Sequence, residues 1–368
     1  MGSLLGLLTI FMVTALNQIE AIQEEWNRQM PWQIFLLLPV LLLLILVRRN
    51  TLYFPYKVSQ LNEATSAGHW SHAMLPVNFL GTIASHMAGA SVGREGALVL
   101  AGAGLVRSMQ LSWVFWGPVC ASIGFASVTG QYWVAPVFMF EMFGPTQLLQ
   151  KVYSLMGALT AVLVCGWFQM PHFFSVPEFS DESGFFSKIF FLFLFAAAAG
   201  TLMRVYKKMY VAMSEKFQIS VWLRLLVSVL LAGFLFLPEF RQFQSLGLRQ
   251  LQELQVFQGS FFSAFTKLFV TAVSTSLGFL GGEFIPLVFS GVHFGAAAFS
   301  AYGFNPQMGS LFGAFVLFAA GTRFKWTSVV LLLGLVGLPY WFWAYWMMAT
   351  AVQFSGDQSL YKFYIRPV

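Results

Sequence analysis

Apolar residues run along this chain in blocks long enough to cross a bilayer, separated by short polar or Gly- and Pro-bearing breaks. A membrane helix needs about 20 mainly apolar residues. The opening MGSLLGLLTIFMVTAL has neither a basic leader nor a small-residue cleavage site, so it reads as a retained helix. Residues 20–32 are polar and hold three acids, 33–47 is a strong span, and 51–73 is a loop or a broken short helix. From Leu75 to Gly93 the chain is apolar but thick with Gly, Ala and Ser, and the register resumes after Gly96. Spans or short helices are expected at 112–127, 133–148, 153–168, 186–204, 221–236, 258–280, 284–302, 308–320 and 327–348. Polar loops are expected at 170–185 and over the Gln-rich 238–256, and the tail is too polar to span alone. Several segments are short or interrupted by Gly and Pro, the pattern of discontinuous helices ending inside the protein. The fold class predicted is an all-α polytopic membrane protein.

Composition agrees and narrows the function. Of 368 residues, 58% are hydrophobic and 9% charged, with 42 Phe. Soluble domains carry roughly 25% charged residues. A disordered chain, a basic nucleic-acid-binding domain and an ordinary cytosolic enzyme are excluded. The length is that of one transmembrane domain over 1–368, with halves near 1–180 and 181–368 and no room expected for a soluble regulatory domain. The formal charge of +6 reflects topology. Arg48-Arg49, and Arg204, Lys207 and Lys208, follow apolar runs and read as anchors or cytoplasmic-side markers. Cys120 and Cys165 lie in apolar stretches and read as small buried hydrophobes. His69, His72, His172 and His293 are scattered without metal-ligand spacing, and no cofactor or ATP motif is present.

The candidate chemistry sits at two breaks. Gly93-Arg94-Glu95-Gly96 and Gly281-Gly282-Glu283-Phe284 are 188 residues apart, about half the chain. Each is a Gly-rich interruption with an acid and an apolar helix after it, which hints at two structural repeats. An ionised carboxylate is expensive at membrane depth, so such acids serve ions or protons. A helix N-terminus binds an anion through unpaired N–H groups. A carboxylate there can occupy the anion's place and leave once protonated. Glu95 is either such a gate or a helix cap paired with Arg94 at a surface. Glu283, with Pro286 close behind, is a second relay, a ligand-shaping residue or a cap. Glu141 either caps nearby backbone N–H groups or carries protons. Lys267, before Thr271, Ser274, Thr275 and Ser276, pairs with an acid, attracts anions or snorkels to the interface. His86 is a satisfied interior histidine or a proton carrier. Tyr361 can offer its O–H to an anion if the tail folds back. A few phenylalanines could line the path, but the sequence does not single them out.

Gly93-Arg94-Glu95-Gly96 resembles the gating-glutamate motif of the CLC chloride channel and transporter family. Gly281-Gly282-Glu283-Phe284-Ile285-Pro286 resembles its second-half G-x-F-x-P region, and Gly124-Phe125-Ala126 through Glu141 its G-F-[A/S]-A…F-x-x-E helix pair. The likeness runs from about residue 75 to 361. Glu283, the string Gly81-Thr82-Ile83-Ala84-Ser85-His86 and the tail Phe354-Ser355-Gly356 through Tyr361 are most similar to the bacterial fluoride/proton antiporter branch. The resemblance implies inverted repeats with short, tilted helices, and a homodimer with one pore per subunit in the bacterial plasma membrane. It implies Glu95 as a proton-sensitive gate, Glu283 as an aid to coupling and Tyr361 as a pore-lining tyrosine. Gly93, Arg94, Gly96, Phe284, Ile285 and Ser59 join them as anion-binding candidates.

Residues 56–62 match neither the chloride-type G-S-G-I-P nor the fluoride-type G-x-N-L-I of that family. Ile285 and Ala97 also depart from it, as does Gly321-Thr322-Arg323-Phe324-Lys325-Trp326. Met142 stands where proton-coupled chloride exchangers often have an inner glutamate. The expected partners are fluoride or chloride, protons and the lipid bilayer, with no nucleic acid. Fluoride export by proton exchange, a passive chloride or broad anion channel, and a non-transporting homologue all remain open.

Overall fold

The computed structural model describes residues 1–29, 61, 74–169, 185–218, 220–247 and 259–361. All the longer elements among them are helices. The expected span at 33–47, the segment 51–73 apart from Leu61, the loop at 170–185 up to residue 184 and Ser59 lie outside the described residues. Helix α1 covers Gly2–Gln29, α2 Met74–Met87, α3 Glu95–Ser108, α4 Trp113–Thr129, α5 Val134–Phe143 and α6 Leu148–Trp167. The second half runs α7 Phe185–Gln218, α8 Val221–Phe236, α9 Phe261–Leu277, α10 Phe284–Ala301, α11 Pro306–Thr322, α12 Lys325–Val336 and α13 Trp341–Phe354. Among the described residues, four helices are long and apolar enough to cross a membrane alone, α1, α6, α7 and α10; several others have only 10–17 residues.

Three expectations change. The polar stretch from residue 20 continues α1 as helix to Gln29. The run at 186–204 belongs to a 34-residue helix, α7. The single span at 327–348 is two helices, α12 and α13, parted by Gly337 at a positive φ of 86° and a short 3-10 turn through Pro339. Proline cannot supply the N–H that a continuous helix would need there.

Lipid tails are as apolar as leucine, so membrane helices associate by close packing more than by hydrophobic gain. The α10–α11 pair illustrates this. Its contact face is glycine on both sides, and a Cβ on Gly313 would lie 2.8 Å from the Gly295 Cα. The largest core cluster spans both halves and includes Leu98, Phe125, Phe138, Phe284, Phe289, Phe315 and Phe318. Large apolar side chains such as Leu148, Trp167, Phe190, Trp222 and Trp341 face outward. That inversion suits a bilayer, where outward Leu and Trp are solvated by lipid.

Candidate functional site

Both Gly-rich breaks fall inside the protein, and they meet. The Gly93 N–H donates to Gly282 O at 2.5 Å, and the Gly282 N–H returns to Gly93 O at 2.7 Å, an isolated antiparallel bridge. Only glycine permits this approach. A Cβ on Gly282 would lie 2.7 Å from the Gly96 nitrogen, and one on Gly93 would lie 2.9 Å from Glu95 Oε2. We expect Gly282→Ala to cost about 2 kcal/mol, typical of overpacking against atoms that cannot move. A fall in unfolding midpoint of the detergent-purified variant would check this, and an unchanged midpoint would contradict the close contact. Side chains reinforce the junction. The Leu280 N–H donates to Ser85 Oγ at 3.0 Å, the Ser91 N–H to Ser274 Oγ at 3.2 Å, and Ser91 Oγ lies 2.8 Å from Thr271 Oγ1. Thr271 and Ser274 thereby join the two breaks.

The bridge sets two helix N-termini side by side. Arg94 is the N-cap of α3 and Glu95 its first residue. Glu283 is the N-cap of α10, followed by Phe284 and Ile285. Arg94 and Glu95 are each 1% exposed, so the reading of Glu95 as a surface cap fails. Arg94 Nε stands 3.7 Å from Glu95 Oε1. The Glu95 carboxylate lies near the backbone N–H groups of Glu95, Ile285 and Arg94, without a hydrogen bond of full geometry among the described residues. It occupies the ground that an anion bound by two helix N-termini would take. Glu283 is buried. Tyr361 is buried too, within electrostatic reach of both Glu283 and Glu95.

The fold-back of the tail that Tyr361 requires is present. Leu360 N–H donates to Gly321 O at 3.0 Å and Ser359 Oγ to Thr322 O at 2.5 Å, while Arg323 donates to Gly356 O. The 321–326 string that departs from the family is thus the cradle of the tail. Its Phe324 ring packs edge-on to Tyr361 at 5.5 Å. Phe318, Phe125, Phe138 and Phe284 complete an aromatic cluster around it. Lys207, read as an interfacial anchor, is instead buried and donates to Gln358 O at 2.6 Å and Ala320 O at 3.1 Å. Carbonyls left over at the end of α11 and in the tail give the ammonium partners inside the protein. Up to Tyr361 the tail forms turns, with no new helix start.

Glu141 lies elsewhere. Its two oxygens accept the Trp326 and Thr327 N–H groups, both at 2.8 Å, so it caps α12 from α5. Loss of an N-cap costs about 1–2 kcal/mol. Glu141→Ala should lower the unfolding midpoint by that amount and leave anion–proton coupling unchanged in liposomes; altered coupling would show that the cap is not its whole role. Lys267 does not snorkel. It is fully buried, donates to Ser245 O at 2.8 Å and Phe243 O at 3.1 Å, and stands 5.3 Å from the Phe289 ring centroid. His86 is buried, and both ring nitrogens lack a hydrogen-bond partner among the described residues.

Two residues escaped the sequence reading. Glu20 of α1 lies within electrostatic reach of Arg94 and Lys267. Tyr206 of α7 is buried and within reach of Glu283. Helical spacing held the signal for both. Thr9, Met12, Leu16 and Ile19 mark the buried face of α1 that leads to Glu20. Met203, Tyr206, Lys207, Tyr210 and Ser214 form one buried stripe of α7.

The family model described as voltage gated chloride channel matches residues 58–355. A crystal structure of a CLC-type fluoride/proton antiporter superposes with a TM-score of 0.80 at 20% identity, covering 98% of this chain and 95% of that one. A slow cyanobacterial Cl-/H+ antiporter gives a TM-score of 0.83 at 14% identity, covering 98% and 94%. A eukaryotic CLC transporter gives 0.75 at 17% identity, covering 98% and 72%. At these identities the likeness concerns the fold alone. No curated protein matches the chain in sequence.

Proposed function

The chain belongs to the voltage gated chloride channel family, and on that premise we propose that it exports fluoride across the bacterial plasma membrane in exchange for protons, with Glu95 as the gate. Anion movement through a multi-pass membrane protein, by transport or channel conduction, follows from the family. The choice of fluoride and of coupling is our reading. The observation that carries it is the second carboxylate, Glu283, at the N-cap of α10 beside the break that holds Glu95.

Two acids beside an anion path cannot all stay ionised while an anion is present, because like charges at low dielectric repel strongly. An arriving anion therefore favours protonation of a neighbouring carboxylate. Glu95 and the anion also compete for the same N–H groups, so protonated Glu95 yields the site. The inward proton gradient then drives the anion outward. Fluoride is the strongest hydrogen-bond acceptor among the halides, and the Tyr361 hydroxyl within reach of both acids suits it. A structure described as a fluoride/proton antiporter among the similar folds is in keeping with this. We extend the proposal to a homodimer with a pore in each subunit.

Purified protein in fluoride-loaded liposomes tests the reading, with external fluoride followed by electrode and internal pH by dye. Fluoride efflux matched by proton uptake is expected. Efflux without proton movement would favour passive conduction, to which Met142 and the engaged Glu141 lend their weight. Chloride flux with no fluoride flux would reject the assigned substrate.

A further inference from the structure

Four helix ends converge on one patch of the surface. Helix α7 begins at Phe185, α10 ends at Ala301, α11 begins at Pro306 and α13 begins at Trp341. Since α7 and α10 are long and apolar enough to cross a bilayer, these ends lie near its boundary with water. Between them a cavity of about 190 Å³ opens to the surface.

Its floor is aromatic. The Phe191 ring stands edge-on to Phe299 at 4.9 Å and tilted against Phe304 at 4.8 Å, and Phe191, Phe299 and Phe312 are buried. Lys188, in the first turn of α7, is the one charged residue among the described residues that line it. Asn305 lines it too. Its Oδ1 accepts the Gln307 and Met308 N–H groups, at 2.9 and 3.4 Å, as the N-cap of α11. What Asn305 can offer a ligand is therefore its amide N–H groups. Tyr and Trp gather at the level where lipid tails meet headgroups. Tyr340 and Trp343 line the cavity, and Tyr302 and Trp341 stand exposed next to it in the chain.

We propose that this cavity binds one anionic phospholipid, with an acyl chain among the Phe191, Phe299 and Phe304 rings and the phosphate at Lys188 and Asn305. An apolar cavity stays dry and takes up an apolar guest, and in a bilayer the guest at hand is an acyl chain. A water-soluble ligand would find no counterpart for the aromatic floor. The headgroup preference comes from the charge, because a lysine near the membrane surface attracts anionic lipid. A zwitterionic lipid would fill the floor as well but bring a cation toward Lys188. The lipid would touch α7, α10, α11 and the start of α13 together, so it would act as packing between four helices.

The test adds phosphatidylglycerol or phosphatidylcholine with identical chains to the detergent-purified full chain and reads binding by native mass spectrometry. Phosphatidylglycerol should bind more tightly. Lys188→Gln should weaken it about fivefold, the share of one lysine near an anionic surface, and leave phosphatidylcholine unchanged. Leu192→Trp, which fills the cavity without touching its charge, should weaken both. Equal affinity for the two lipids in the wild type, or undiminished binding in Leu192→Trp, overturns the proposal. A second measurement does not depend on how Leu192→Trp folds. Photoreactive p-benzoylphenylalanine at position 304 is irradiated in phosphatidylglycerol-containing membranes. A phospholipid adduct supports the site. A crosslink to a second copy of the chain assigns the cavity to a protein contact and rejects it, and the absence of any lipid adduct rejects it as well.

Discussion

Glu95→Gln should abolish proton movement in liposomes, by at least a hundredfold, while anions continue to pass. The argument is local. The Glu95 carboxylate lies beside the N–H groups of Arg94, Glu95 and Ile285, where two helices begin. A glutamine has the same shape without a titrating proton, so it acts as a glutamate fixed in its protonated form. It cannot bind those N–H groups as a charge does, and it cannot carry a proton across. Anion flux should persist and lose its dependence on pH. Glu95→Ala should go further and pass anions faster, because nothing is left to compete for the helix ends. The measurement is simultaneous fluoride and pH recording. Wild-type proton uptake in the glutamine variant would remove Glu95 from the gate.

Lys267→Met is expected to be the most destabilising change considered, costing about 3–5 kcal/mol. Methionine fills a similar volume, so packing changes little. The loss is electrostatic. Lys267 supplies the Phe243 and Ser245 carbonyls with their donor, and it lies within reach of Glu20, whose Oε1 is buried with no hydrogen-bond partner among the described residues. Removing the cation strands that acid. Glu20→Gln introduced together with Lys267→Met should therefore restore part of the stability, since the two sites are coupled and their effects do not add. Detergent unfolding midpoints of the single and double variants give the coupling directly. Additive losses would show that Glu20 answers to Arg94 alone.

The sequence disclosed this site unevenly, for physical reasons. Glu95 and Glu283 stood out because a carboxylate in an apolar, Gly-flanked stretch has few uses. Their spacing suggested related breaks, but nothing in it could show that Gly93 and Gly282 exchange hydrogen bonds. Backbone pairing across half a chain leaves no periodic trace. Glu141 was correctly open between cap and carrier, and the choice turned on α12 arriving with two free N–H groups. The anchor reading of Lys207 and the snorkelling alternative for Lys267 fail for one reason. A lysine at the end of an apolar run normally reaches for water, and the unpaired carbonyls that receive these two belong to distant segments. Tyr206 and Glu20 were hidden by their neighbours, one amid the basic residues of α7 and the other at the edge of a polar stretch. The Thr322–Phe324 departure turned out to be the cradle of the tail, which a motif comparison cannot express.

The bridge between Gly93 and Gly282 also sets the mechanical scale of the cycle. Many carriers expose a site alternately by rocking one half against the other, in motions of microseconds to milliseconds. Here the two halves are pinned backbone to backbone between Gly93 and Gly282, beside both candidate acids. Under the proposed function, access would change instead through side-chain rotation about a stationary frame, above all that of Glu95. The protein would then work like a turnstile in a fixed wall, with a shallow temperature coefficient and little sensitivity to the thickness of the surrounding bilayer.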